Sequence, residues 1–384
     1  MAYILQLVPL LTSTGTNCCA SASSDQADSI RIFDLQRTDK PTIELEYSEQ
    51  LGRLSQLKSH QHSLLIGCFS SSPAVLGWDL RSADHRPSLE LTGHSSTPFL
   101  SLGHSAGSVI AAGTSNDDDC SSAQIELFDL RRGTKPYCLY DQAHSDSITS
   151  LEFNPSCSDH QLLSASTDGL LVLHDTRIVD QEESILFTSN TGASLAHARW
   201  QPDGRTIWAG SDMETLSRWD AEQLSLLKDY GDLRQDSLAK PDPSWHEPVS
   251  YLISLATPSP TQSAYFAGSQ SGDVVLVETT DPETERWKVL GSFKGGHSEM
   301  VRCATLDSQN SVFLTGGEDG RICIWSNDRE NEASFRLVDR FNPFSTPIIH
   351  SPKEPNPTHL QLKPDSSLKT LSSKDNRFKP YNRH

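Results

Sequence analysis

The 384-residue chain has no apolar run approaching the roughly 18 residues that a membrane-spanning helix requires, so a helical anchor is not expected. It has no C-x-x-C pair. Its eight cysteines are scattered, with only Cys18 and Cys19 adjacent, and are read as reduced thiols of an intracellular protein rather than a disulfide framework. The apolar stretch from Ala2 to Leu11 lacks both a basic leader and a small-residue cleavage site, which predicts a first strand instead of a secretion signal. Hydrophobic residues are also few, at 35%. Those present are concentrated in short β-branched and aromatic runs, a distribution that suits many small sheets.

The formal net charge is −18, and it is unevenly placed. Residues 351–384 carry seven Lys/Arg against three Asp/Glu, a net of +4, which leaves −22 on residues 1–350. An acidic body repels nucleic acid phosphates and favours basic protein segments. From Asn342 onward, Pro343, Pro347, Pro352, Pro355, Pro357 and Pro364 interrupt a stretch rich in Ser and Lys. Residues 342–384 are therefore expected as a disordered basic tail beyond a folded body of residues 1–341.

The body repeats. Gly296 to Trp325, GHSEMVRCATLDSQNSVFLTGGEDGRICIW, opens on Gly-His, runs through an alternating segment, turns at Thr-Gly-Gly-Glu-Asp-Gly and closes on an apolar strand ending in tryptophan. In a four-stranded blade His297 in the opening loop and Asp319 in the tight turn can hydrogen-bond each other, with Thr315 and Trp325 continuing the chain of polar contacts. Gly320 suits the turn because it accepts positive φ. The strand-ending aromatic, usually followed by Asp, recurs as Phe33-Asp34, Trp78-Asp79, Phe128-Asp129, His174-Asp175, Trp219-Asp220 and Trp325-Ser326, with Val277-Glu278 as a degenerate copy. The spacings of 45, 50, 46, 45, 58 and 48 residues give seven units, enough to close a ring. The pattern resembles the WD repeat, whose period of roughly 40 to 45 residues builds one propeller blade. The expected fold class is all-β, a seven-bladed WD-repeat β-propeller.

The copies differ in completeness. Ala143-His144 through LLSASTDGLLVLHD keeps His144, Ser164 and Asp168 but has His174 where tryptophan belongs. Thr92-Gly93-His94 opens the third unit and Trp219 closes the fifth, where Asp212 lies one residue off. The second unit has no Gly-His, and the sixth lacks both His and Asp, with Ser271 in its turn. The expected structural network is thus His94, His144, Ser164, Asp168, Trp219, His297, Thr315, Asp319 and Trp325. Residues 229–247, rich in Asp, Pro and Ser, read as an insertion before unit six. Spacing leaves open whether Ile4 to Val8 is the inner strand of blade one or closes the ring on blade seven.

Three segments could suggest chemistry. Gly103-His104-Ser105-Ala106-Gly107 matches the G-x-S-x-G nucleophile elbow, but that motif needs a helix directly after it, and Ser108-Val-Ile-Ala-Ala-Gly reads as a strand. His60 and His62 lie on one side of an extended segment with no third ligand at recognisable spacing, and are read as surface residues. Asp117, Asp118 and Asp119 lack the alternation, turn glycine and bidentate acid of a calcium loop, and are read as a solvated acidic loop. No catalytic residue, cofactor or metal is expected.

The remaining signal concerns partners. Trp78-Asp79-Leu80-Arg81 is a complete W-D-x-R sequence, and Phe128-Asp129-Leu130-Arg131 and His174-Asp175-Thr176-Arg177 are close variants. In WD-repeat proteins that recruit substrates to cullin-RING ubiquitin ligases, an arginine so placed contacts a propeller-shaped adaptor, and an exposed guanidinium can form a bidentate pair with a partner carboxylate. The bland alternative is an Asp-Arg pair that stabilises the blade's own turn. Candidate partner-binding residues are therefore Trp78, Asp79, Arg81, Asp129, Arg131, Asp175 and Arg177, with Asp117 to Asp119 as a contact for a basic peptide or tail.

Two segments, GGH from Gly295 through LTGGEDG to Trp325 and AHSDSITSLEFNP through SASTDGLLVLHD with its following DQEES, resemble the WD repeat-containing protein 89 family over roughly residues 1–330. The resemblance implies a non-enzymatic chain in a nuclear or nucleocytoplasmic setting. Taken together, these readings predict a protein-interaction scaffold that binds a peptide or partner subunit on a propeller rim, with no nucleic acid bound by the body and no membrane.

Overall fold

The structure, a computed structural model, describes residues 3–343 apart from 12–16, 24–28, 62, 95, 117–121, 157–159, 235–247, 260–261, 279–287, 308–311 and 328–333. Those residues lie within one compact unit, Met1–Pro347. The basic tail expected from Asn342 falls on residues 344–384, outside the described residues.

Among the described residues twenty-eight strands form seven consecutive four-stranded blades. Blade one is β1 (Ile4–Leu11), β2 (Asn17–Ser23), β3 (Ser29–Asp34) and β4 (Ile43–Glu46); blade two is β5 (Leu54–His60), β6 (Leu64–Phe69), β7 (Ser72–Asp79) and β8 (Leu89–Thr92). Blade three is β9 (Phe99–His104), β10 (Val109–Thr114), β11 (Ala123–Asp129) and β12 (Cys138–His144); blade four is β13 (Ile148–Phe153), β14 (Gln161–Ser166), β15 (Leu170–Asp175) and β16 (Ile185–Asn190), with one helical turn, α1 (Gln181–Ser184), before its last strand. Blade five is β17 (Leu195–Trp200), β18 (Thr206–Ser211), β19 (Thr215–Asp220) and β20 (Ser225–Asp232). Blade six is β21 (Tyr251–Ser259), β22 (Gln262–Gly268), β23 (Val274–Glu278) and β24 (Lys288–Phe293); blade seven is β25 (Val301–Asp307), β26 (Val312–Gly317), β27 (Ile322–Asn327) and β28 (Ser334–Phe341). The last two blades merge at their outer edges, where β24 and β28 pair in parallel through Ser292–Ser334 and Phe293–Phe335. Strand β20 runs to Asp232, so the first residues of the stretch read as an insertion belong to blade five, and residues 235–247 lie outside the described residues.

The apolar runs explain the ring. Successive side chains of a strand point to opposite faces, and in a propeller both faces of each blade meet a neighbour, so the middle strands are apolar without alternation. Leu162 packs into the joint with blade three while Leu163 packs into the joint with blade five; Leu65 and Ile66 divide in the same way. Seven apolar clusters result, one for each pair of adjacent blades, and each fully buried Leu or Ile in them contributes about 1.5 to 3 kcal/mol.

The seventh cluster settles how the ring closes. Strand β1 pairs with β2 as the inner strand of blade one, and its Ile4 and Leu7 pack on Val312, Leu314, Ile322 and Ile324 of blade seven. No strand is exchanged between the ends. Instead Phe33 packs on Phe341 at 4.9 Å, Arg31 Nη1 donates to the Pro343 carbonyl at 2.6 Å, and Thr38 Oγ1 donates to the Asp339 carboxylate.

The inner strands share a further device. Their ladders slip at the second residue in six blades and at the third in blade six, a β-bulge that sharpens local twist. In five blades the next side chain bonds the inner strand of the following blade. Gln6 accepts from Leu57 N and donates to the Ser55 carbonyl, Gln56 accepts from Leu102 N, and Ser150 donates to the Ala198 carbonyl. Ser254 donates to the Ala304 carbonyl, and Cys303 Sγ lies 3.6 Å from the Ile4 carbonyl across the closing joint.

Candidate protein-interaction rims

Strands β25 and β27 run one way and β26 and β28 the other, so the loop opening each blade and the turn between its middle strands lie on one rim. The His–Asp pairs are on that rim. His297 Nδ1 is 3.1 Å from Asp319 Oδ1, its Nε2 is 2.8 Å from Thr315 Oγ1, and Trp325 Nε1 donates to the same hydroxyl at 2.8 Å. The Asp319 carboxylate also accepts from the main-chain N–H groups of Ser298 and Arg321, fixing loop and turn together. Burial pushes this carboxyl up, but the hydrogen bond and charge of His297 outweigh it and hold it below the usual range. Gly320 sits at φ +71°, the left-handed conformation that a side chain would strain. Gly296 is required for a different reason: a Cβ there would lie 2.4 Å from Trp325 Cζ2.

Blade four repeats the arrangement with one substitution. His144 Nδ1 lies 3.2 Å from Asp168 Oδ2 and its Nε2 2.7 Å from Ser164 Oγ, which in turn lies 3.1 Å from His174 Nε2. His144 ends β12 of blade three while Asp168, Ser164 and His174 belong to blade four, so the network latches two sheets. His174 is fully buried and stacked on Tyr140 at 5.1 Å, and its Nδ1 has no partner among the described residues.

His94 does not join such a network. Its ring is 56% exposed, and the loop is held instead by Glu126, a wholly buried carboxylate on β11 that accepts from His94 main-chain N at 2.9 Å. The half-exposed imidazole keeps its Nδ1 3.8 Å from the same carboxylate rather than bonding a turn Asp, correcting the expectation from Gly93-His94. Trp219 is buried, but its indole N–H donates to Ser217 Oγ of its own strand at 2.8 Å, with no His–Asp pair attached.

The opposite rim carries the Asp-x-Arg turns. Arg81 Nε and Nη2 donate to Asp79 at 2.9 and 2.8 Å; Arg131 donates to Asp129 twice at 3.0 Å; Arg177 donates to Asp175 at 2.9 and 2.5 Å. Each Asp also accepts from the main-chain N–H of its own Arg, and Asp129 further accepts from Ser108 Oγ. The Arg81 guanidinium brings the Asp79 carboxyl down to about 2, and Arg131 and Arg177 hold Asp129 and Asp175 below the ordinary carboxylate range. The carboxylates of Asp129 and Asp175 are buried and Trp78 is sealed in the joint between blades one and two, so these residues cannot meet a partner directly; the arginine side chains remain exposed. Sequence reading missed a similar Asp-x-Arg turn on the blade-opening rim, Asp232-Leu233-Arg234, where Arg234 also donates to the Met213 carbonyl at 3.1 Å; it follows an outer strand, with Gly231 before the Asp. Asp117, Asp118 and Asp119 lie outside the described residues.

The central channel encloses about 600 Å³ and is lined by the inner strands. Lys58 Nζ donates to Glu152 Oε1 at 3.0 Å, and Arg199 Nε lies 3.8 Å from the same oxygen. Burial raises the Glu152 carboxyl, yet Lys58 and Arg199 prevail and keep it below its ordinary value.

The remaining residues weighed for chemistry fall elsewhere. Ser105 is buried in the turn between β9 and β10, where its hydroxyl accepts from Val109 N at 3.1 Å; a strand follows it, not a helix. His60 is not on the surface: it ends β5, is 2% exposed, and places Nδ1 3.5 Å from His104 Nδ1. His62 is outside the described residues. Among the described residues no three His, Cys, Asp or Glu side chains gather as a metal site, and no helix is long and apolar enough to cross a membrane.

Comparison with known proteins agrees with this architecture. Residues 136–175 and 287–326 match the WD domain, G-beta repeat family, and these are the two segments that carry complete His–Asp pairs. The chain is 27% identical over 352 residues to WD repeat-containing protein GTS1 of Arabidopsis thaliana, covering 85% of this chain and 82% of that one. It is 23% identical over 329 residues to a WD repeat-containing protein 89 homolog of Dictyostelium discoideum, covering 85% and 83%. A chain in the crystal structure of the mitotic checkpoint complex superposes with a TM-score of 0.62 at 16% identity over 84% of this chain and 87% of that chain, a likeness of fold alone. The chain is a WD-repeat β-propeller protein that resembles the WD repeat-containing protein 89 family.

Proposed function

We propose that this protein is a non-enzymatic scaffold that binds a peptide or partner subunit on the rim carrying the blade-opening loops. The observation that carries the reading is the pinning of those loops by buried His297–Asp319 and His144–Asp168 pairs. A surface fixed in advance loses little conformational entropy on binding, so modest contacts suffice for a stable complex. The net charge of −22 on residues 1–350 supports a basic segment as partner. Proximity labelling in cells, with the chain and an Asp117→Lys, Asp118→Lys, Asp119→Lys variant, tests this: partners enriched by the first and lost from the second support it, and an unchanged partner set removes the acidic loop from the reading.

A second reading, substrate receptor of a cullin-RING ligase, draws on the exposure of Arg81, Arg131 and Arg177. Against it, each guanidinium is already closed on its own Asp, so an adaptor would have to compete for it. Unchanged adaptor co-purification with Arg81→Ala and Arg131→Ala together would remove this reading. A nuclear or nucleocytoplasmic setting rests on the family resemblance, and imaging of the tagged full chain tests it.

A further inference from the structure

Exposed hydrophobic side chains are not scattered over the ring. Of the seven large apolar residues left well exposed among the described residues, six lie on blades four and five: Val179, Leu186, Phe187, Met213, Leu226 and Leu227. An apolar concentration of this kind on an otherwise charged surface marks an interaction site more often than chance exposure does.

The outer strands show why the patch is there. In four of them the ladder skips a residue at the same place, which the bulge swings out of register: Leu186 in β16, Leu227 in β20 (which also skips Tyr230), Leu290 in β24 and Val338 in β28. Leu290 and Val338 pack on the cores of blades six and seven, beneath an edge sealed by the β24–β28 pairing and by Phe293 stacked on Phe335 at 4.3 Å. Leu186 and Leu227, at the same register, are 37% and 50% exposed, and among the described residues β16 and β20 each end their sheet with no strand beyond them. The two edges are joined at one point. Ser189 Oγ donates to the Leu224 carbonyl at 2.5 Å, and Phe187 and Leu226 each stand two residues from that bond.

Charge says what fits. Residues 179–190 and 220–232 hold seven acidic side chains and one lysine, and Asp180, Glu182, Glu183, Glu222 and Asp229 are exposed. A second copy of the chain would set acid against acid in a symmetric interface. We propose that the outer edges of blades four and five dock an extended segment of a partner protein in which apolar residues alternate with lysine or arginine. Such a segment adds to an open strand edge through main-chain hydrogen bonds, lays its apolar side chains on Leu186, Phe187, Leu226 and Leu227, and meets the carboxylates with its cations. This surface is distinct from the rim of the proposed scaffold function.

A fluorescein-labelled peptide of alternating Lys and Leu, titrated into the full chain and read by fluorescence anisotropy, tests the proposal. It should bind, weaken about tenfold or more with Phe187→Ser and Leu226→Ser together, and slow hydrogen exchange in Ile185–Asn190 and Ser225–Asp232; both substitutions are at exposed positions, and an unchanged thermal midpoint controls for folding. Alternating Glu–Leu and Lys–Ser peptides should bind far less. Equal binding by the double variant or by the Glu–Leu peptide overturns the proposal, as does self-association of the chain, seen by sedimentation, that the two substitutions abolish.

Discussion

Blade seven and the latch between blades three and four contain the same chain of hydrogen bonds, yet they end differently. In blade seven the last member is Trp325, whose single N–H is satisfied by Thr315 and whose six-membered ring reaches over Gly296. In blade four it is His174, which meets Ser164 through one nitrogen and leaves the other without a partner among the described residues. The shorter imidazole lacks the atoms that would strike a Cβ, and the residue in the Gly296 position is accordingly Ala143. The neighbouring aromatic is also conserved in role: Phe293 meets Trp325 edge-on at 5.4 Å, whereas Tyr140 stacks flat on His174. The difference teaches that glycine and tryptophan, or alanine and histidine, are chosen as pairs.

The comparison can be broken most severely at its shared hydroxyl. Thr315→Val should destabilise the protein by about 3 kcal/mol, since it strands a buried imidazole nitrogen and a buried indole N–H together. Ser164→Ala should do somewhat less, because His174 is already incompletely satisfied; thermal unfolding of the two variants gives the order.

A sharper test exchanges the paired residues. Gly296→Ala and His174→Trp should each destabilise by about 1 to 3 kcal/mol through overpacking, and Ala143→Gly should recover most of the loss in the His174→Trp background, with a coupling that a double-mutant cycle measures.

Acid should separate the two latches next. Burial drives His174 down to about 3, and burial also takes His104 and His197 to about 4, with the cations Lys58 and Arg199 adding to the last two shifts. Their unfolded value is about 6.5, so between these limits the unfolded chain binds more protons than the folded one. Stability is full above about pH 6.5 and falls as pH drops toward 4. A His174→Phe variant should show a shallower fall in thermal midpoint over that window than the unaltered chain.

The smallest effect is expected on the other rim. Arg131→Ala removes an exposed partner and should change stability by no more than about 0.5 kcal/mol, while Asp129→Ala, which also releases the Ser108 hydroxyl and the Arg131 main-chain N–H, should exceed it clearly in urea unfolding.

The period of the strand-ending aromatics was enough to read seven blades, because spacing survives even where Val277 replaces the aromatic. The His297 and His144 networks were legible for the same reason: Gly-His, Thr or Ser, and Asp-Gly stand at fixed offsets. Side-chain direction was not. Gly93-His94 looks like its counterparts, and only the fold reveals that Glu126, hidden in the strand AQIELFD, takes over the bond to the loop. Trp78 read as a surface motif with Asp79 and Arg81, although a strand-ending indole faces the neighbouring blade. His60 read as a surface residue of an extended segment, whereas register with Leu64 makes it the buried end of β5.

Because each sheet is made from one uninterrupted stretch of chain, a polypeptide leaving the ribosome can lay down its blades in order, each settling on the one before. Nothing synthesised early has to wait for a strand from the far end. Only the join of Ile4 and Phe33 with Cys303, Val312 and Phe341 is deferred until the seventh blade emerges, and until then the first presents an uncovered face on which a chaperone or a premature contact can act.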